Sequence, residues 1–269
     1  MHSPTTTIKL NTSVSQLLDA TPINFKNDCL QEIGTCWYKF SKSANSESLP
    51  TARIISESSD FSSPYVSGIS IYSPPTFNGL IQNLTVTLRG LPDNSLHSEQ
   101  KDFLYSIISE LLKGGWRRYL YPSDPRISGQ EGRRLPSGED VLGSTVMSHP
   151  WFDPSENMTL EQWLSITNTY EWYFVDNNDN HLLLKVWKSN DERSPKTRGT
   201  YLITLEFDSE ESFWRKSFKQ KDKENWINLL PKTIQRFEED RSLLENKAEA
   251  IGIAIDQGYR PPAIRALQK

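Results

Sequence analysis

The sequence predicts an α+β protein: antiparallel sheets with helices packed on one face, divided into two lobes and ending in a long C-terminal helical region. Three observations carry this expectation. In "LTVTLRG", residues 84–90, Leu84, Val86 and Leu88 alternate with Thr85, Thr87 and Arg89, the period of a strand buried on one side. From Ser98 the period becomes helical, with Phe103, Ile107 and Leu111 on one face beside Leu104 and Ile108. Beyond Asp222 a long stretch alternates its charges at helical spacing, the mark of a solvated helix face.

Taken in order, residues 41–64 are rich in Ser and read as a loop interrupted by a strand at "TARII". "YVSGISIY" is β-branched and alternating, so it is expected as a strand, and "PPTFNG" turns the chain into the strand at 84–90. The helix from Ser98 ends at Gly114, and "WRRYLY" follows as a strand, giving a βαβ-like unit. In that strand Trp116, Arg118 and Leu120 share one face. A loop with five prolines then runs from Pro122 to Pro154, and loops of that length are usually functional or disordered. "TLEQWLS" is a short helix opened by Thr159. "EWYFVDNNDNHLLLKVWK" is a hairpin around residues 176–180, and "GTYLITLEF" is a further strand. "DSEESFWRKSFK" has Asp and Ser at its start, acids in its first turn and bases in its last, the order a helix dipole favours. The helical stretch after Asp222 is expected to break or kink at Pro231, and "YRPPAIRALQK" to pack on the body through Tyr259 and Ile264. These elements divide into an N-terminal lobe at 1–121, a proline-rich connection at 122–158 and a C-terminal lobe at 159–269.

A chain of 269 residues can bury a sizeable core without staples or metals. Thirty Lys and Arg against 34 Asp and Glu leave a net charge of -4 with the signs interspersed, which excludes a nucleic-acid footprint. No run approaches the roughly 18 apolar residues of a membrane span. Cys29 and Cys36 are the only cysteines; "CLQEIGTC" with Gly34 at its turn suits a small disulfide-closed loop, against the alternative of two buried thiols. A disulfide points to an oxidising compartment.

The search for chemistry returns few groups. Gly114 and Gly115 precede a strand, the wrong context for a phosphate cradle, and no G-x-S-x-G elbow occurs. The four histidines are scattered without ligand spacing, so neither a metal nor a cofactor is expected. His149, beside Trp151 and Asp153, is the one histidine placed to form a His-Asp pair, though a loop histidine bonded to backbone is the simpler reading; His181 reads as a cross-strand surface residue. Asp124, Asp153, Asp176 and Asp179 sit in turns, where Asp bonds its own backbone. In "DPR", Asp124 caps a turn and Arg126 pairs with a carboxylate across it. Of the eight Trp residues, Trp151 is expected to be exposed, and Trp116, Trp172, Trp187 and Trp214 to pack.

"GTCWYKF", "GGWRRYLYPSDPRISG", "EWYFVDNNDNHLLLKVWK" and "GTYLITLEF" together resemble periplasmic immunity proteins of bacterial type VI secretion systems, in particular those that neutralise lipase effectors. The resemblance spans about residues 25–220. It implies a non-catalytic protein that covers the active site of a toxic effector, with that effector as its partner. It also implies export to the periplasm, often as a lipoprotein tethered by an N-terminal lipid anchor, with a leader and anchor cysteine ahead of Ser3. No lipobox is present in the chain. On this reading Asp124, Arg126, His149, Trp151, Asp153, Asp176 and Asp179 are the candidate partner contacts. The competing expectations are an envelope hydrolase built around His149, an interface on the C-terminal helical region, and an envelope assembly factor.

Overall fold

A computed structural model describes residues 3–132, 134, 153–166 and 169–268. Strands β1 (Thr5–Lys9), β2 (Lys26–Leu30), β3 (Thr35–Ser41), β4 (Thr51–Ile55), β5 (Asp60–Ser63), β6 (Val66–Ser73), β7 (Asn83–Leu88) and β8 (Ser95–Leu96) precede the first long helix. A short helix, α1 (Val14–Ala20), separates β1 from β2. Then come α2 (His97–Lys113), β9 (Arg117–Arg118), α3 (Gly129–Gly132), α4 (Leu160–Ser165), β10 (Thr169–Val175), β11 (His181–Asn190) and β12 (Arg198–Asp208). Helices α5 (Glu210–Arg215) and α6 (Trp226–Ala250) follow.

Among the described residues the strands form two sheets. The larger runs β2-β3-β6-β7-β12-β11-β10-β9, with β8 beside β12, and every pairing in it is antiparallel. The smaller is β1-β4-β5, in which β1 lies parallel to β4. The α+β expectation therefore holds, but the division at 122–158 does not fall between sheets. β7 pairs with β12 through Leu84↔Phe207, Val86↔Leu205 and Leu88↔Ile203, so strands from both expected lobes share one sheet. Matching hydrophobic alternation on these two strands makes that register the one that buries both.

Ile69, Ile71, Leu84, Val86, Ile203, Leu205, Phe207, Leu184 and Val186 form the inner face, covered by α2, α4 and the small sheet in one continuous core. Trp116 meets Phe207 edge-on at 5.6 Å, tying the end of α2 to β12. Helices α5 and α6 reach past the β9 and β10 margin, where Tyr119, Tyr173 and Val175 pack with Leu183 and Phe213. The expected βαβ-like unit is altered: only Arg117–Arg118 of "WRRYLY" is strand, and β12, β11 and β10 stand between β7 and β9. Pro231 neither ends nor opens a helix, since α6 runs through it.

Gly114 and Gly115 are required by a close approach. A Cβ on Gly114 would lie 2.1 Å from the Asp60 carbonyl oxygen, and one on Gly115 2.5 Å from that of Ser58. The Gly114 carbonyl in turn accepts the Asp60 N–H at 2.9 Å. Gly114→Ala is expected to cost about 3 kcal/mol, because backbone rather than a flexible side chain must give way; a guanidinium unfolding curve measures it.

Cys29 and Cys36 form a disulfide between directly paired residues of β2 and β3, with Cα atoms 4.1 Å apart. Edge strand β2 has no buried residue, so the bond holds a strand that burial cannot. Gly34 closes the turn at φ 61°, the left-handed conformation glycine tolerates. Replacing both cysteines with Ser is expected to remove about 2–3 kcal/mol, the value for so short a loop, and to raise amide exchange first in β2; thermal unfolding and hydrogen exchange read the two effects.

Candidate functional site

Successive side chains on β11 and β12 point to opposite faces. Leu182, Leu184 and Val186 on β11, with Tyr201, Ile203, Leu205 and Phe207 on β12, fill the core. The other set, Lys185, Trp187 and Ser189 with Thr200, Leu202, Thr204 and Glu206, lies on the face that α2 and α4 do not cover. Trp187 and Leu202 are direct cross-strand partners. They are 49% and 50% exposed. Lys185 Nζ lies 5.4 Å from the centre of the Trp187 ring and 3.2 Å from the Glu171 carboxylate, so a charged pair borders the indole.

The row continues across the sheet. Leu88 pairs with Ile203, which sets the next residue, Arg89, beside Leu202. The Arg89 guanidinium stacks 4.3 Å over the Tyr65 ring, and the Arg89 N–H donates to the Tyr65 carbonyl at 3.0 Å. Tyr65, which immediately precedes β6, has φ 60° and is 51% exposed. Tyr65, Arg89, Leu202 and Trp187 thus form one transverse row, and tyrosine, arginine and tryptophan are the residue types enriched among the anchors of protein interfaces. Towards the disulfide end the same face carries Trp37 against Tyr72 at 5.5 Å and Tyr72 against Phe77 at 6.2 Å. A groove of about 550 Å³ lies there, with Ile33, Tyr72 and Phe77 on one side and Arg215, Lys216 and Lys223 on the other.

The expected contact residues have other places. Asp176 is fully buried: its Oδ1 accepts the N–H groups of Asn178 and Asn180, and its Oδ2 accepts from Ser56 Oγ, Ser59 Oγ and Asn180 Nδ2. It ties the β10–β11 hairpin to the β4–β5 turn. Asp153 accepts from Gly129 N–H and from Ser155, and pairs with Arg118 at 2.8 Å. Arg126 forms a two-pronged pair with Glu245 of α6, 2.8 Å in each arm. Asp124 is buried, and its carbonyl accepts Arg241 Nε at 2.8 Å. Asp179 is buried and pairs with Arg265 at 3.1 Å. These candidate contact residues are each engaged within the chain, as the turn reading expects: a carboxylate that leaves water needs internal partners. His149 and Trp151 lie outside the described residues.

Two further expectations change. His181 is not a surface residue but 4% exposed, stacked on Phe213 at 3.6 Å and met edge-on by Tyr119 at 4.8 Å. Trp187 is not a packing residue. Its exposure was legible, because period 2 places it with Lys185 and Ser189 rather than with Val186 and Leu184. No group of three or more His, Cys, Asp or Glu placed to hold a metal occurs among the described residues. No described helix is long and apolar enough to cross a membrane.

Burial lowers the pKa of His97 below its ordinary value and that of His181 to about 3. The unfolded chain takes up these protons first, near pH 6.5. Their contribution to stability is thus complete above pH 6.5 and declines below it, that of His181 until pH reaches about 3. Asp179, raised to about 6 chiefly by burial and next by Glu210, works in the opposite sense, favouring the fold below its unfolded value and losing that contribution as pH rises through about 6. Thermal midpoints are expected to drop between pH 7 and pH 5, and the drop to be shallower in His181→Leu.

No family model matches the chain, and neither a curated protein nor a solved structure does.

Proposed function

We propose that this chain is a non-catalytic immunity protein that binds a toxic type VI secretion effector, a lipase, and neutralises it by covering its active site. The observation that carries this reading is the row Tyr65, Arg89, Leu202 and Trp187, held out on a hydrogen-bonded sheet. Burying an exposed indole and leucine against a partner supplies the apolar centre of an interface, and the Lys185–Glu171 pair supplies a charged rim. A nanomolar complex needs about -12 kcal/mol, which a few such anchors on a rigid surface can provide. Periplasmic residence is part of the proposal, and the Cys29–Cys36 disulfide is compatible with that oxidising compartment. An N-terminal lipid tether belongs to the same reading.

The test is co-purification with the product of the adjacent gene, followed by a lipase assay of that product with and without this chain. A stoichiometric complex with suppressed hydrolysis is expected. Trp187→Ala should weaken it about 30-fold, the effect of an anchor residue worth some 2 kcal/mol, at unchanged thermal midpoint, because Trp187 fills no core position. A complex that leaves hydrolysis intact would favour an assembly role, and no complex would refute the reading.

A further inference from the structure

The segment after α6 crosses back over the body and lies in a groove between the β10–β11 hairpin, α5 and α6. None of residues 257–268 is buried. The body holds the segment at few points. Tyr259 OH accepts the Leu120 N–H at 2.9 Å, and Arg265 pairs with Asp179 at 3.1 Å and donates to the Asn177 carbonyl. The Ala266 N–H donates to Glu210 at 3.1 Å. Ile264 and Ala266 add apolar contact to the cluster of Trp214, Trp226 and Leu230. No strand ladder is involved, and Pro261 and Pro262 have no N–H to contribute to one.

The fit is incomplete. A partly open cavity of about 140 Å³ is lined by Pro261, Pro262, Ala263 and Ile264 of the segment together with Tyr119, His181 and Trp214 of the body. That is close to the size of a void that admits a benzene ring. The cavity lining includes His181, a buried residue whose Nδ1 has no hydrogen-bond partner. The groove also has a defined chemistry: Asp179 and Glu210 receive a guanidinium and a backbone N–H, and Trp214 receives an aliphatic side chain.

We propose that this groove is a recognition site for an extended, proline-stiffened segment in which an aliphatic residue precedes an arginine, and that residues 259–267 are its resident, displaceable ligand. The order Pro-Pro-x-Ile-Arg fits the site for physical reasons. The two prolines preset an extended backbone at little entropic cost, Ile264 enters the aromatic cluster, and Arg265 meets the acidic end. A partner segment with that chemistry competes with the resident one for the same contacts. This inference stands apart from the immunity reading, since it concerns the hairpin end of β11 and not the exposed row.

The experiment uses the full chain and a fluorescent peptide, QGYRPPAIRALQ, corresponding to residues 257–268. Ile264→Asp with Arg265→Ala, made together in the chain, loosens the resident segment. Fluorescence anisotropy is expected to show the peptide binding this variant at least about tenfold more tightly than the unaltered chain, because a resident ligand lowers apparent affinity by the fraction of open groove. Adding Asp179→Asn and Glu210→Gln to the variant should abolish the gain. Equal binding to loosened and unaltered chains, or none to either up to millimolar peptide, would overturn the proposal. Hydrogen exchange on the unaltered chain gives a second reading that does not depend on a variant folding. Ala266 and Leu267 amides should exchange about 100-fold or more faster than those of Ile203 and Leu205, as expected of a segment that opens locally; protection equal to the sheet would show a fixed part of the fold and defeat the idea.

Discussion

Pairing of β7 with β12 is the constraint from which the rest of the structure follows. It joins segments more than a hundred residues apart, with Asn83 Nδ2 donating to Asp208 Oδ1 at 2.7 Å at one end of the ladder. Because β12 also pairs with β11, the register it takes against β7 decides which face of four neighbouring strands is core. A slip of one residue would place Ile203, Leu205 and Phe207 in water and Thr204 and Glu206 inside. An aromatic layer under the same strand opposes that slip. Trp163 stacks on Tyr170 at 4.0 Å, its Nε1 donates to the Tyr201 hydroxyl at 2.9 Å, and His97 Nδ1 lies 2.8 Å from that hydroxyl. His97 Nε2 reaches the Pro195 carbonyl at 3.1 Å. A buried polar chain with its partners in place specifies one arrangement, since any shift leaves a donor or acceptor unpaired.

The buried charges do for the loops what β12 does for the sheet. Arg126–Glu245 fastens the turn after β9 to α6, Arg118–Asp153 fastens the chain that returns from the long connection, and Asp176 joins two hairpins. Removing one partner from such a pair leaves a charge in a poor solvent, a cost of about 3–5 kcal/mol. Exposed pairs such as Lys113–Glu110 contribute at most about 1 kcal/mol. The acidic turns are therefore explained by architecture.

How much of this could be read in advance differs by element. The alternation in β7, β11 and β12 and the helical period of α2 were legible because each element buries one face, and burial is what writes a period into a sequence. Strand β2 has no buried residue and so carries no periodic signature; β1 alternates in burial, but its buried positions are Thr6 and Ile8 among further threonines, so the alternation is not one of polar and apolar residues. That Asp124, Asp153 and Asp176 belong in turns was evident from residue type. Their partners were not, because Arg241, Arg118 and Ser56 are distant in sequence and only the folded chain brings them close. Tyr65 and Arg89 meet only because β6 and β7 pair, which no local pattern announces. Trp187 was legible in its alternation, since Lys185 and Ser189 mark its face as the solvent side against tryptophan's general preference for burial.

The exposed row and the C-terminal strap, residues 257–268, occupy opposite ends of β11 and are held in different ways. Trp187 lies six residues from His181, about 20 Å along a strand. At the Trp187 end the backbone is bonded to β10 on one side and β12 on the other, so the indole is presented without ordering a loop on binding. At the His181 end the strap adds no ladder; it rests on an ion pair, single hydrogen bonds and two small apolar contacts above a cavity. Opening the strap therefore costs only those contacts and leaves the sheet hydrogen bonds intact. One surface is stiff enough to gain affinity from pre-organisation, and the other is loose enough to exchange its occupant, within a single strand whose register does not change.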